Sequence, residues 1–318
     1  MSAQEPILQV SGLKKYFNTP KGVLHAVDDV SFTIERGKTL GVVGESGCGK
    51  STTGRSILRL IEPTAGKVIF EGQDVLALYK DELRKIRRRM QMVFQDPYSS
   101  LNARMTISDI IAEPLKLHKM CDSKEERRQR VSELMETVGL SERLVNSYPH
   151  ELDGGRRQRV GIARALALNP SFIVCDEPVS ALDVSIQAQI LNLMQDLQEQ
   201  MGLTYIFITH NLSVVNHLAD EIAVMYLGQI VEKASAVELF EQPLHPYTRA
   251  LLSAIPVPSL KKKREVQPLT GEISSPIDPP DACRFAPRCP HRCDRCTQGV
   301  PPLREVSDNH FVACCLDV

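Results

Sequence analysis

Lys38-Thr39-Leu40-Gly41-Val42-Val43-Gly44-Glu45-Ser46-Gly47-Cys48-Gly49-Lys50-Ser51 joins a brief β-rich run to a glycine-rich loop, and from Ser51 to Leu60 the residues alternate as a helix does. The segment Gly44 to Ser51 fits G-x-x-x-x-G-K-[ST], placed after a strand and before a helix. Glycines let such a loop curl so that successive N–H groups point inward at phosphate oxygens, and the helix that follows adds its positive end. Lys50 is expected to reach the β- and γ-phosphates and the Ser51 hydroxyl to ligate Mg²⁺. The loop predicts a nucleoside triphosphate ligand. It says nothing about what hydrolysis of that ligand drives.

Before the loop, residues 7–36 read as short strands, Ile7-Leu8-Gln9-Val10 and then Ala26 to Ile34, with a further strand and turn at Gly66 to Gly72. From Lys80 to about Gly139 the chain reads as polar and helical, and the charge runs Arg84 to Arg89 and Glu125 to Arg130 read as solvated helix faces. Ser171 to Cys175 and Thr204 to Ile208 are continuous apolar runs, the pattern of strands buried on both faces of a parallel sheet, with a helix expected at Ile186 to Gln200 between them. This alternation predicts an α/β domain ending near Glu232. Past Pro256 the prolines at 268, 276, 279, 280, 287, 290, 301 and 302 leave little room for regular elements. That tail is expected to need something other than a hydrophobic core.

Two acids, Asp176 and Glu177, end the run Ile173-Val174-Cys175, at the strand end where α/β folds place ligand chemistry. Asp176 is expected to hold Mg²⁺, and Glu177 to orient or accept a proton from the attacking water. A helix cap before Pro178 is the bland alternative. His210 ends another apolar run and suits a contact with a γ-phosphate or the water, although a lone histidine is more often structural.

The chain has 318 residues, 42% of them hydrophobic, with Lys+Arg 38 against Asp+Glu 39 and a net charge of -1. That balance gives no bulk positive charge for nucleic acid, and no nucleic-acid partner is expected. No apolar stretch reaches the ~18 residues of a spanning helix. The start, MSAQEPILQV, has neither a basic nor an apolar signal region. A cytosolic chain with reduced thiols is therefore expected, which bears on the nine cysteines, six of which lie in the last 36 residues.

Leu152-Asp153-Gly154-Gly155-Arg156-Arg157-Gln158-Arg159, read with Ser180-Ala181-Leu182-Asp183 and Gln95, resembles an ABC-transporter nucleotide-binding subunit over almost the whole chain. The resemblance implies a RecA-like P-loop ATPase core with an antiparallel β-subdomain and a helical subdomain, followed by a Cys-rich, loop-rich C-terminal domain. It divides the chain into a nucleotide-binding domain over 1–250, with a helical insert at roughly 96–165, and a C-terminal domain over 251–318. It implies adenine stacking by Phe17, with Tyr16 the neighbouring option. ATP would be gripped by Gly44, Glu45, Ser46, Gly47, Cys48, Gly49, Lys50, Ser51 and Thr52. The magnesium residues would be Ser51, Gln95 and Asp176, and the catalytic groups Glu177, the switch histidine His210 and the Q-loop glutamine Gln95. Asp153, Gly154, Gly155, Arg156 and Asp183 would face a partner ATPase subunit.

Phe94 to Asn102, Asp183 to Gln189 and His245-Pro246-Tyr247-Thr248 resemble the oligopeptide/dipeptide/nickel importers more closely. In that subfamily two cytosolic ATPase subunits dock beneath two membrane permeases, and an extracytoplasmic binding protein delivers the cargo. The resemblance thus implies a peripheral protein on the cytoplasmic face of the inner membrane, with Gln95 and the helical segment after it forming the joint to the permease. Nickel or another small solute is an alternative cargo. A soluble ABC ATPase of translation or DNA repair is a more distant alternative, since neither a second cassette nor a long coiled coil is present.

The chain departs from the family's Leu-Ser-Gly-Gly-Gln signature: Asp153 replaces serine and Arg156 replaces glutamine. An ionised Asp153 would bring negative charge towards the partner's ATP, at about 4 kcal/mol for unit charges ~4 Å apart at a dielectric near 20, and Arg156 could recover part of that. An N-cap turned away from nucleotide is the alternative. The departure predicts a heterodimer with one weakened and one competent site. In the tail, Cys283, Cys289, Cys296 and Cys314, with Cys293 and Cys315 as spare thiols, suit either structural Zn²⁺ or an iron–sulfur cluster. The run Arg284 to Pro290 resembles the carboxyl-terminal segment of the peptide-importer ATPases, which implies a [4Fe-4S] cluster, with Cys293 able to replace a neighbour as ligand. Cys48 and Cys175 read as small packing residues.

Overall fold

Apolar residues on alternate positions build β1 (Leu8–Thr19) and β2 (Gly22–Ile34) into an antiparallel hairpin, in register from Leu8 opposite Ile34 to Thr19 opposite Gly22. The computed structural model describes residues 5–255, 271 and 274–316. β3 (Thr39–Val43) and α1 (Lys50–Ile57) follow, and then β4 (Ala65–Phe70) and β5 (Gln73–Asp74) complete an antiparallel sheet in the order β2-β1-β4-β5. Leu8, Val10, Leu13, Val30, Phe32, Ile34, Val68 and Phe70 bury its inner face. The strands are much longer than expected. Register shifts at three places between Val10 and Tyr16 break the two-residue alternation, and Lys14, Lys15 and Asn18 interrupt the apolar residues in the rest of β1.

The chain divides into two compact units, Met1–Ala77 with Phe207–Val318, and Leu78–Ile206. The second contains α2 (Lys80–Ile86), β6 (Met90–Val93), α3 (Pro97–Ser100), α4 (Ile107–Leu117), α5 (Lys124–Thr137), α6 (Gly154–Leu166), β7 (Phe172–Asp176) and α7 (Val184–Met201). β6 lies inside the stretch expected to be wholly helical. Its four residues, between Arg87-Arg88-Arg89 and Gln95, are too short a run to carry a period, yet they pair in parallel with β7 from Met90 opposite Phe172 to Val93 opposite Cys175. Helix α4 starts at the Thr106 cap and buries Ile107, Ile110, Ile111 and Leu115, one stripe of a helix, in contact with α5 and α6.

β8 (Thr204–Thr209) carries the chain from the second unit into the first, followed by α8 (Leu212–Leu218), β9 (Glu221–Tyr226), β10 (Gln229–Ser235), α9 (Ala236–Glu241) and α10 (Pro246–Ser253). β3 and β9 pair in parallel and are buried along almost their whole length. The mixed α/β architecture expected from the sequence is therefore present, with its antiparallel sheet in one unit and its helical layer in the other. Among the described residues no helix is long and apolar enough to cross a membrane.

The tail is more regular than expected. β11 (Arg304–Ser307) and β12 (His310–Val312) form a hairpin, and β12 extends the sheet from β10, with Glu232 opposite Val312 and Lys233 opposite Phe311. Pro276 to Asp278 lies along the edge of β2: His25 N–H donates to Pro276 O at 2.9 Å and Asp278 N–H to Val23 O at 2.9 Å. Phe285, Cys296, Val312 and Ala313 are buried, and Phe285 alone contributes on the order of 2–3 kcal/mol of apolar burial. Strand pairing and core packing thus hold a segment whose prolines pointed to neither. The end of the α/β domain expected near Glu232 falls inside β10, and Glu232 is a buried anchor accepting from Leu244 N, His245 N and His310 Nε2 at 2.7–3.0 Å. Residues 256–270, which include Pro256 and Pro268 of the expected C-terminal domain, lie outside the described residues.

Candidate functional site

The phosphate-type loop leaves β3 at Gly44 and enters α1 at Gly49, and both glycines are required. A Cβ at Gly44 would stand 2.2 Å from Met225 O, and one at Gly49, where φ is +105°, would stand 2.1 Å from Ala26 O. Gly49 is the N-cap of α1 and brings no side-chain cap, and a helix N-terminus of this kind suits an anion. Lys50 is buried, and its ammonium donates to Gly44 O at 2.8 Å and Glu45 O at 2.9 Å, at the centre of its own loop. Ser46 and Gly47 are exposed at the tip, Ser51 and Thr52 half-buried on the first turn. A cavity of about 300 Å³ is lined by residues 45–48, Tyr226, Leu227 and residues 274–276. Cys48 is buried with its thiol pKa raised, first by that burial, and Cys175 is fully buried with its pKa raised for the same reason. Both are packing residues, as expected.

Glu45 differs from its expected role. Its carboxylate meets Arg288 of the tail in a two-pronged pair, at 2.8 and 3.1 Å, and its N–H donates to the Tyr247 hydroxyl at 3.0 Å. Neither partner was singled out as a site residue by the sequence, where Tyr247 and Arg288 appear only inside stretches quoted for resemblance. At the expected adenine aromatics, Tyr16 is committed elsewhere. Its hydroxyl donates to Asp28 and its ring stacks on His25 at 4.0 Å. Burial alone would raise the Asp28 carboxyl, but the Tyr16 and His25 hydrogen bonds and the Arg284 charge hold it below the usual value. Phe17, on the opposite face of the strand by alternation, is half-buried with the Lys15 ammonium 4.7 Å over its ring.

In the second unit, Asp176 ends β7 fully buried, and Glu177 follows with φ +45°, a left-handed conformation uncommon for a non-glycine residue. Gln95 Nε2 donates to Glu177 Oε2 at 3.0 Å, so the structure joins two of the expected catalytic groups. Ser180 N–H and Oγ donate back to Glu177 O at 3.3 and 3.1 Å, tightening the turn. Asp183 is the N-cap of α7 without a side-chain cap bond. In the first unit, His210 is exposed at the end of β8.

Asp153 caps its own helix. Its Oδ1 accepts from Arg156 N–H at 2.8 Å, and its Oδ2 lies 3.5 Å from Arg156 Nε, with both side chains more than half exposed. The bland N-cap expectation is thus realised in part: the carboxylate satisfies the helix end and has a guanidinium beside it. Gly154 and Gly155 pack against the segment Ser180 to Asp183 and α7, where a Cβ on each would stand 3.0 Å from Leu182 Cδ2 and 2.7 Å from Ile186 Cγ2.

The tail thiols gather without forming a ligand set. Every cysteine carries a free thiol, and Cys296 lies within electrostatic or hydrogen-bonding reach of the other five. Cys293 and Cys296 stand 3.7 Å apart between sulfurs. Burial pushes Cys283 up to about 11 and raises Cys289 and Cys314, while the hydrogen bond from Cys296 lowers Cys293. The expected quartet Cys283, Cys289, Cys296 and Cys314 needs correcting to this extent: among the described residues no group of three or more His, Cys, Asp or Glu side chains stands at metal-holding spacing. The donor chemistry suits a thiolate-bound metal, but the spacing does not.

A family model described as "ABC transporter" matches residues 27–180, and one described as "Oligopeptide/dipeptide transporter, C-terminal region" matches residues 231–296. The chain is 53% identical over 314 residues to a Brucella ovis protein named as a peptide import ATP-binding protein, covering 99% of each. It is 51% identical over 323 residues to the oligopeptide transport ATP-binding protein AppF of Bacillus subtilis, covering 98% of this chain and 97% of AppF. Its fold matches a dimeric ATP-binding cassette in a post-hydrolysis state bound to ADP and Pi, with TM-score 0.66 and 32% identity over 72% of this chain and 98% of that one. It also matches cbiO1 of Clostridium perfringens, part of the ABC transporter complex cbiONQ, with TM-score 0.66 and 27% identity over 75% of this chain and 92% of that one.

Proposed function

From a chain that belongs to the ABC transporter ATP-binding subunits, we propose an ATP-hydrolysing motor that powers the import of peptides, working with membrane permeases and a substrate-binding protein. The observation that carries the ATPase reading is the Gly44–Ser51 loop, with a buried Lys50 at its centre and an uncapped helix end behind it. In this reading Lys50 and the loop amides, with Thr52, hold the phosphates, and Phe17 stacks on adenine. Glu177, kept in place by Gln95, orients the attacking water, and His210 contacts the γ-phosphate. Ser51 and Asp176 offer the hard oxygen donors that Mg²⁺ requires, with Gln95 as a further oxygen ligand, and the ion would neutralise phosphate charge. The protein sits peripherally on the cytoplasmic face of the inner membrane.

The second ATPase subunit is a different chain. A homodimer would carry Asp153 in both signature segments, whereas a partner with a standard signature would complete one competent site from this chain's Lys50, Glu177 and His210. Asp183 and Gly154 to Arg156 belong to that pairing face. We also propose that the tail, residues 251–318, binds a [4Fe-4S] cluster through Cys283, Cys289, Cys296 and Cys314, an arrangement the thiols do not have among the described residues. The gathering of thiols around Cys296 supports this, and ligation requires the loops to draw the sulfurs into a common set. Iron and acid-labile sulfide with a visible absorption band are expected after anaerobic purification; a colourless protein with stoichiometric zinc would overturn the cluster. For the function itself, the complex rebuilt in vesicles with its permeases and binding protein should hydrolyse ATP faster when peptides are supplied. Stimulation by a nickel chelate and by no peptide would reassign the cargo.

A further inference from the structure

Glu45, the first residue after Gly44, is held at each of its polar groups. Its N–H goes to the Tyr247 hydroxyl, its carbonyl accepts from Lys50, and its carboxylate fills the fork of Arg288. The Arg288 side chain is 6% exposed and that of Glu45 26%. The segment that carries Arg288 is itself anchored to the same unit. Arg284 donates to Asp28 and to Leu227 O. Phe285 is buried against Tyr226, Tyr247 and His245, with ring centroids 5.3–5.5 Å away. Arg288 therefore approaches Glu45 from a rigid base, and a planar guanidinium on such a base fixes both the position and the orientation of a carboxylate.

We propose that Arg288 is a positioning residue for the phosphate loop: by clamping Glu45 it sets the first curl of the loop and neutralises the carboxylate that borders the phosphate-binding amides. This rests on the ATPase reading above. An unpaired carboxylate at this position would repel the polyphosphate and would be drawn towards Lys50, whose ammonium the phosphates need. The clamp also makes the tail, 243 residues away in sequence, part of the nucleotide site.

The test measures ATPase rate against ATP concentration in the assembled complex for wild type, Arg288→Gln, Arg288→Lys and the double variant Arg288→Gln/Glu45→Gln. Arg288→Gln should raise KM for ATP by about tenfold to a hundredfold, the scale of leaving a part-buried polar group without its partner. Its kcat should fall less than about threefold, because the groups at the reacting atoms are untouched. Arg288→Lys keeps charge without the fork and should lie between. The double variant removes the stranded carboxylate and should bring KM back to within about threefold of wild type, a non-additive result. A pair that only stapled the tail down would instead show additive losses and a lowered melting point. An unchanged KM in Arg288→Gln, or a double variant as impaired as the single one, overturns the clamp. If Arg288→Gln does not assemble, Arg288→Lys with and without Glu45→Gln gives the same reading: a raised KM relieved by Glu45→Gln supports the clamp, and any other result overturns it. Lys50→Ala, run alongside, separates the two ideas: full activity there would defeat the ATPase reading and the clamp with it, whereas a lost rate there with an unchanged KM in Arg288→Gln would defeat the clamp alone.

Discussion

Helices α1 and α6 each begin at a glycine-containing segment, and their N-termini are prepared in opposite ways. At α1 the cap is Gly49, with φ +105° and no side-chain acceptor, and the buried Lys50 follows it directly. At α6 the cap is Asp153, whose carboxylate takes the Arg156 N–H for itself. One helix end is open to an anion, and the other has a built-in anion. A helix terminus is thus a potential phosphate site only where the sequence withholds its own cap. A serine at this position would cap the helix as well, so Asp for Ser in the signature changes the charge at that cap and not its presence. α10 offers a third case: its cap is His245, whose Nδ1 accepts from Tyr247 N–H at 3.1 Å, a bond that only the neutral ring can make.

The largest effect is expected at the open terminus. Lys50→Ala removes the charge at the centre of the loop and should lower the ATPase rate of the complex by about 10²–10³-fold, the scale of losing one preorganised donor to developing charge. Retained activity would mean that the open helix end is not where ATP is held.

The next is at the histidine cap. Burial first, and the Arg249 charge second, push His245 down to about 3. Between pH ~6.5 and 3 the unfolded chain takes up a proton that the folded chain refuses, so stability is at its plateau above pH ~6.5 and falls below it. The slope is on the order of 1.4 kcal/mol per pH unit. His245→Asn keeps a capping acceptor and removes the titration, so denaturation curves at pH 7.5 and pH 5 should separate the two proteins. Parallel losses in both would show that another group governs acid sensitivity.

The smallest effect is at the self-capped terminus. Asp153→Ser keeps a cap and removes the carboxylate, and it should raise the ATPase rate of the complex by about twofold to fivefold, the range of a helix-end charge effect. An unchanged rate would mean that Asp153, held by Arg156, faces away from nucleotide, and the contrast between α1 and α6 would then be one of capping alone.

The loop Gly44 to Ser51 and the acids Asp176 and Glu177 were legible because each is a contiguous run whose local backbone does the chemistry. Buried strands such as β7 and β8 were legible from their unbroken apolar runs. β6 was not, because four residues between arginines carry no period. The length of β1 was hidden by its bulges. The tail was misjudged because proline content speaks against helices and central strands, yet says nothing about a terminal hairpin added to β10 or a chain laid along the edge of β2. Asp153 stood out against its family's pattern, but whether its carboxylate serves the helix or meets the nucleotide could not be read from the substitution.

The sequence by itself determined the phosphate loop, the paired acids at a strand end, the alternation of strands and helices and the departure at the signature. All of these depend on neighbouring residues, whose geometry is set within a few bonds. Only the tertiary structure decided that Glu45 faces Arg288, that Tyr247 holds the loop's amide, that Gln95 meets Glu177 and that Phe285 belongs to the core. Those partners are far apart along the chain, and their meeting depends on where the strands and the tail are brought, which no local pattern encodes.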